Sequence, residues 1–357
     1  MKKVIFNKKT IWILLGLLAI FLSSILPAAF VEKYYSRGLF QLVRWGFTGL
    51  DSWLPFAFVY VLFLLLLGWL GVSLTRFFKS KKTWPQRLLN MLFSVLAFAG
   101  GAVFFFQFLW GFNYKRIPLE TTMGISPKPL TVSELKDELD AATAETLRLR
   151  SMLPGAGDTA VPAVLLPNNL ENTLRENLKA TLADYGYPVP GNVRGRLLWP
   201  KGLLLRISTA GVYIPFTGEG HIDPGLHYLQ LPFVMIHEMS HGYGFGDEGT
   251  CNFLAYLACI RSDNLFLQYV GHLYYWRYVA SDFREFQPEE YDKFRESLPA
   301  GLKADLLAIR QEMDKYPDIF PAVRDATYNA YLHAQGIKEG LKNYDRVIML
   351  VHAWRKK

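Results

Sequence analysis

His237-Glu238-Met239-Ser240-His241 reads H-E-x-x-H. Histidines four apart on a helix share a face, so both imidazoles can aim at one point. They supply two ligands of a catalytic zinc site, with Glu238 beside them as candidate general base for a water activated at the metal. Catalytic zinc takes three protein ligands and keeps one position open, so a third ligand has to come from elsewhere. Glycines at 242, 244 and 246 break the helix after His241 and let the chain turn back. Glu248 then starts a new helix, with Asn252 four residues on and on the same face.

Glu248-Gly249-Thr250-Cys251-Asn252 resembles the second motif of gluzincin peptidases. In that motif a helix-borne Glu completes the zinc, and an Asp or Asn four residues later fixes a ligand histidine. The resemblance implies Glu248 as third ligand and Asn252 as hydrogen-bond partner of a ligand imidazole, which must be held in one tautomer. The stretch from His237 through Gly244 to Asp247 also resembles a metzincin pattern, which implies Asp247 instead. Metzincins need a Met-turn beneath the site, and Met313 and Met349 both sit in helical contexts. A longer resemblance rests on GVYIPFTGEG, HEMSHGYGF, EGTCNFLAYLAC and YNAYLHAQGIKEGLKNYDRV (328–347). Together these resemble an uncharacterised bacterial domain-of-unknown-function family with N-terminal spans followed by an HExxH domain. That family's pattern has Glu at the position of Glu248 and Asn-Phe at Asn252-Phe253, which favours Glu248 over Asp247. Many members carry a further acid where this chain has Thr250, so that acid is not a required ligand. The resemblance implies fold and metal rather than substrate.

The chemistry expected is zinc-assisted hydrolysis of a peptide or protein substrate. Glu238 takes the water's proton and passes it to the leaving amine. A further donor must stabilise the oxyanion, and Tyr213, His221, His227 and Tyr274 are the candidates. The loop 217–230 holds Glu219, His221, Asp223 and His227, any of which can enter the cleft. Before it, 203–208 and 211–216 read as short strands, and Pro215 makes the second an edge strand or a strand end. An edge strand ahead of this helix can hold an extended peptide across the metal by strand addition. Cys251 and Cys259 lie too far apart along one helix to bridge and read as buried core residues.

Three apolar stretches come first, at about 11–30, 53–75 and 88–110, each long enough to cross a bilayer. Trp53, Trp69, Trp84 and Trp110 sit near their ends. The chain of 357 residues is 51% hydrophobic with a net charge of +8. Residues 1–113 hold twelve Lys/Arg against two Asp/Glu, and the rest hold 27 against 29. The excess charge therefore flanks the membrane, which argues against a nucleic-acid partner and for the lipid bilayer. Lysines before the first span and basic residues in the loop 76–87 put both on the cytoplasmic side and everything after about 111 outside, at the cell's inner or plasma membrane. The amphipathic stretch 37–50 suits an interface.

The expected architecture is a membrane domain, 1–110, and an extracytoplasmic domain, 111–357, mainly α with a small β-sheet: a zincin-like α+β fold. Thr131-Val132-Ser133-Glu134 is a capping box opening a helix to about Leu153. Further helices are read at 169–185, 248–262, 264–286, 299–316, 320–333 and 341–354, with a solvated basic end at Trp354-Arg355-Lys356-Lys357. The alternative is an envelope zinc-binding sensor or scaffold without hydrolysis, in which protein fills the fourth position, with His221 and Asp223 as the candidates.

Overall fold

A computed structural model describes residues 8–319, 330 and 346–357. The helix expected at 320–333, the first residues of the one at 341–354, and Tyr328, Tyr331 and Tyr344 lie outside them. The described chain is mainly helical with one three-stranded sheet. It divides into two compact units, Met1–Arg116 with Ile214–Gly218, and Ile117–Tyr213 with Glu219–Lys357.

The first unit carries three helices long and apolar enough to cross a membrane: α1 (Lys8–Ile25), α4 (Val59–Lys79) and α5 (Trp84–Leu109). Their ends differ from the hydropathy reading. α1 stops at Ile25, ahead of Pro27, and the chain resumes as a short α2 (Ala28–Phe30), a π-helix (Val31–Leu39) and α3 (Phe40–Asp51). α4 begins at Val59 because Pro55 interrupts the apolar run before it. Trp69 is not at an end: it lies within α4 and stacks on Phe98 of α5 at 4.3 Å. α1 and α5 meet backbone to backbone, since a Cβ on Gly16 would lie 2.6 Å from the Cα of Gly100. Small residues at such crossings let apolar helices approach closely without a hydrophobic driving force between them.

The second unit is built on helices. After the short α6 (Leu119–Met123), α7 (Val132–Met152) opens with the expected capping box: Glu134 N–H donates to Thr131 Oγ1 at 3.3 Å and Thr131 N–H to Glu134 Oε2 at 3.0 Å. Leu135, Leu139, Ala142, Thr146 and Leu149 are buried along one face of it. α8 (Leu170–Asp184), α9 (Leu231–Gly242), α10 (Glu248–Ile260) and α11 (Leu265–Phe286) follow, then α12 (Pro288–Ser297), α13 (Ala300–Met313) and a last helix, Arg346–Arg355. α9 and α10 carry the HExxH and Glu248 segments and are buried over almost their whole lengths.

The sheet has the order β1-β3-β2, with β1 (Gly195–Leu197) parallel to β3 (Glu219–Ile222) and β2 (Gly211–Ile214) on the far side of β3. Pro215 follows the last residue of β2, which is both at an edge and at its end. The strand expected at 203–208 is instead a 3₁₀ turn at Leu205–Ile207. Its ends are pinned by positive φ at Gly202 and Ser208, and Asp223 draws it tight by accepting the N–H groups of Gly202, Leu204 and Leu205. β1 and β3 fall in stretches that read as irregular. The basic end, Arg355 to Lys357, is exposed as expected, but it is also tethered: Arg355 donates to Glu138 and to Tyr256 Oη, and Lys357 Nζ to the Met123 carbonyl.

Candidate metal centre

α9 places His237 and His241 one turn apart, and α10 brings Glu248 against both. The link between them is short because Gly244 has φ +87°, a left-handed conformation that costs a side chain but not a glycine. Its N–H bonds to the His241 carbonyl at 2.8 Å, and Asp247 then caps α10 by accepting from Thr250 N–H at 2.7 Å.

The donor atoms form a small triangle. His237 Nε2 is 3.2 Å from His241 Nε2 and 3.1 Å from Glu248 Oε2, and His241 Nε2 is 3.4 Å from the same oxygen. Three ligands each about 2.0–2.1 Å from a tetrahedral zinc would lie about 3.3–3.4 Å apart. The sides of the triangle match that spacing, so these three residues can hold a metal ion. Among the described residues, no further His, Cys, Asp or Glu joins the group.

The far ring nitrogens support the fit. His241 Nδ1 lies 2.8 Å from the Phe245 carbonyl, an oxygen that only accepts, so Nδ1 carries the proton. His237 Nδ1 lies 2.8 Å from Asn252 Oδ1, with the amide oxygen facing the ring. Both Nε2 atoms are thereby turned toward each other and toward a carboxylate. Two lone pairs and an anion at this spacing repel unless a proton or a metal cation sits between them. Without metal, protons answer that need. Burial works against a charged His241, yet Cys251 and Glu248 outweigh it and hold its pKa well above 6.5. Burial would likewise raise Glu248, but the charge of His241 and hydrogen bonds from both histidines hold it far below the ordinary carboxylate range.

Glu238 points elsewhere on the same helix. It is buried, and that burial raises its pKa against the pull of His237 and His241. Two glycines make room for it. A Cβ on Gly211 of β2 would fall 2.7 Å from Glu238 Oε1, and one on Gly220 of β3 would fall 2.6 Å from Glu238 Cβ. The edge strand therefore runs directly past the carboxylate. These glycines and the Phe245 carbonyl escape a reading of motifs. The only sequence signal is a glycine inside a strand, which marks close backbone approach.

The remaining candidates fall in different places. Asp247, the rival ligand, caps α10 and pairs with Arg346 at 2.8 Å. Tyr213 lies beside His241, with ring centroids 6.5 Å apart. Tyr274 stacks on Phe233, one helical turn before His237, at 4.0 Å. His227 lies tilted against Tyr228, ring centroids 4.0 Å apart, and accepts the Leu229 N–H. Asp223 is taken up by backbone N–H groups and Glu219 by Arg196 at 3.0 Å. His221 is fully buried on β3, its Nε2 3.5 Å from Glu219 and neither ring nitrogen hydrogen-bonded. Cys251 sits behind the His241 ring, its sulfur 3.4 Å from Nδ1, and burial pushes its thiol up to about 11. Both cysteines are free and buried.

A family model for proteins of unknown function, DUF3810, matches residues 35–352. The chain belongs to the DUF3810 family. The match covers most of the first unit and nearly all of the second, so in this DUF3810 chain it takes in α9, α10 and the strands beside them. No curated protein and no solved structure matches.

Proposed function

We propose that this chain is a membrane-anchored zinc-dependent peptidase whose second unit is a zincin-like catalytic domain working outside the cytoplasm. The observation that carries the proposal is the triangle of His237 Nε2, His241 Nε2 and Glu248 Oε2, with sides of 3.1–3.4 Å. When bound, zinc would polarise the scissile carbonyl and acidify water. Glu238 accepts the water's proton and delivers it to the leaving amine, which matches the raised pKa that burial gives it. Asn252 and the Phe245 carbonyl hold the two imidazoles in the ligating tautomer. β2 offers its edge to an extended peptide beside Glu238, and Tyr213 beside His241 is the best-placed oxyanion donor. Three protein ligands without a fourth among the described residues favour an open catalytic position over a closed structural one.

The test uses purified full-length protein. Metal analysis should find one zinc per chain, and Glu248→Ala should lose it. Glu238→Gln should keep the zinc and lower peptide hydrolysis by at least about a hundredfold. Full hydrolysis in Glu238→Gln overturns the mechanism. Zinc retained in Glu248→Ala overturns the ligand set. Zinc bound with no hydrolysis of any peptide would leave a metal-holding sensor or scaffold in its place.

A further inference from the structure

The first unit contains a crevice of about 860 Å³ lined by α1, α4 and α5. This volume lies at the upper end for small-molecule sites. Its walls are apolar: Trp12, Leu62, Leu66, Trp69, Phe98 and Phe105. One end is different. Lys9, Arg76, Lys82 and Arg87 all line the crevice there, together with Ser73, Ser80, Asn90 and Ser94. That these cations share one end follows from the chain. Arg76 is in the last turn of α4, and only four residues separate that helix from α5, which carries Arg87 in its first turn. Arg87 Nε donates to the Lys82 carbonyl at 2.9 Å, and Lys9 Nζ donates to Ser94 Oγ at 2.7 Å and to the Asn90 carbonyl at 3.0 Å. Between Asp51 and Glu120 the sequence has no acidic residue, so the segment supplying three of these cations brings no carboxylate to balance them.

We infer that this crevice is a binding site for an anionic glycerophospholipid from the surrounding bilayer. The acyl chains lie along the aromatic and leucine walls, and the phosphate sits among Lys9, Arg76, Lys82 and Arg87. The basic end selects the charge, because juxtamembrane cations attract anionic headgroups and an apolar wall alone would take any lipid. α4 has no buried residue, and two ring pairs join it to α5, Trp69 on Phe98 and Phe77 edge-on to Trp84. A lipid wedged in the crevice would tie α4 to the α1–α5 pair. The site is separate from the proposed zinc centre and does not depend on it. It rests on the three apolar helices lying in a membrane.

The experiment reconstitutes the full chain in vesicles holding equal amounts of phosphatidylglycerol and phosphatidylethanolamine. The protein is then extracted in mild detergent and the retained lipid identified by native mass spectrometry. Wild-type protein should retain phosphatidylglycerol in clear excess. Arg76→Gln and Arg87→Gln should each lower that excess about fivefold, the effect expected of one cation near the surface. Lys79→Gln and Lys81→Gln, in the same basic segment but outside the crevice, should leave it unchanged. Ala102→Trp, which fills the apolar wall, should reduce retention of both lipids. Equal retention of the two lipids by wild-type protein would overturn the inference, as would an equal loss in the Lys79 and Lys81 variants, which would mean diffuse surface attraction. Failure of the chain to float with vesicles would instead remove the membrane premise.

Discussion

At the scale of single residues, the centre is defined by which atom of each histidine is left facing the carboxylate. The Phe245 carbonyl and the Asn252 amide take the Nδ1 positions, and both Nε2 atoms are thereby directed toward Glu248. This has a pH consequence for the metal-free protein. Folding lowers the pKa of Glu248, so the unfolded chain binds a proton there more readily than the folded one. The stability that Glu248 contributes is complete above its ordinary value of 4.5 and is lost as pH falls below it. Thermal unfolding of chelator-treated protein should show the melting temperature dropping as pH falls from about 5 to about 3, with Glu248→Gln flattening the drop. The His-Glu-x-x-His spacing and the Glu–Asn pair were legible in the sequence, because helical geometry alone puts residues four apart on one face. The Phe245 carbonyl was not, since every residue carries one and only the turn at Gly244 aims it.

At the scale of elements, β2 and β3 matter more than their length suggests. Both press glycines against Glu238, but at different atoms. A methyl at Gly211 meets the mobile end of the side chain, whereas a methyl at Gly220 meets Glu238 Cβ and backbone. Gly211→Ala should therefore displace the carboxylate, cutting the proposed hydrolysis while the proposed zinc binding and the melting temperature stay near wild type. Gly220→Ala should push β3 off α9 and lower stability by about 1–3 kcal/mol, the usual cost of overpacking, as read by denaturant unfolding. Helices such as α7 and α11 were readable because apolar spacing and caps repeat over many residues. Strands of three and four residues with sequences GRL and EGHI carry no alternation long enough to read. The stretch 203–208 misled for the opposite reason. Its leucines look β-forming, but Asp223, distant in sequence, captures its N–H groups and winds it into a turn.

At the scale of the whole molecule, one buried carboxylate ties distant parts of the second unit together. Asp305 of α13 accepts from Arg150 Nε of α7 at 2.7 Å, from Tyr269 Oη of α11 at 2.6 Å and from the Val161 N–H at 2.7 Å. Asp305→Ala would leave a buried guanidinium without its anion. It should destabilise the second unit by about 3–5 kcal/mol in chemical unfolding, while the triangle of His237, His241 and Glu248, made by other helices, keeps the zinc binding proposed for it in the fraction that stays folded. Nothing in the local sequence marks Asp305, because its three partners lie far from it along the chain.

By itself the sequence determined three apolar helices, a mainly helical remainder, and a pair of histidines and a glutamate on helical faces. Each of these follows from periodicity or from composition over a short window. The tertiary structure decided which acid meets the histidines. Asp247 and Glu248 are neighbours, and spacing allows either. The helix that starts between them separates their tasks: Asp247, outside the first turn, caps it by accepting the Thr250 N–H and pairs with Arg346. Glu248, inside it, turns toward His237 and His241. One residue of helical rotation, about 100° at 3.6 residues per turn, divides a helix cap from a carboxylate facing the two histidines, and the packing of α10 on α9 sets that rotation.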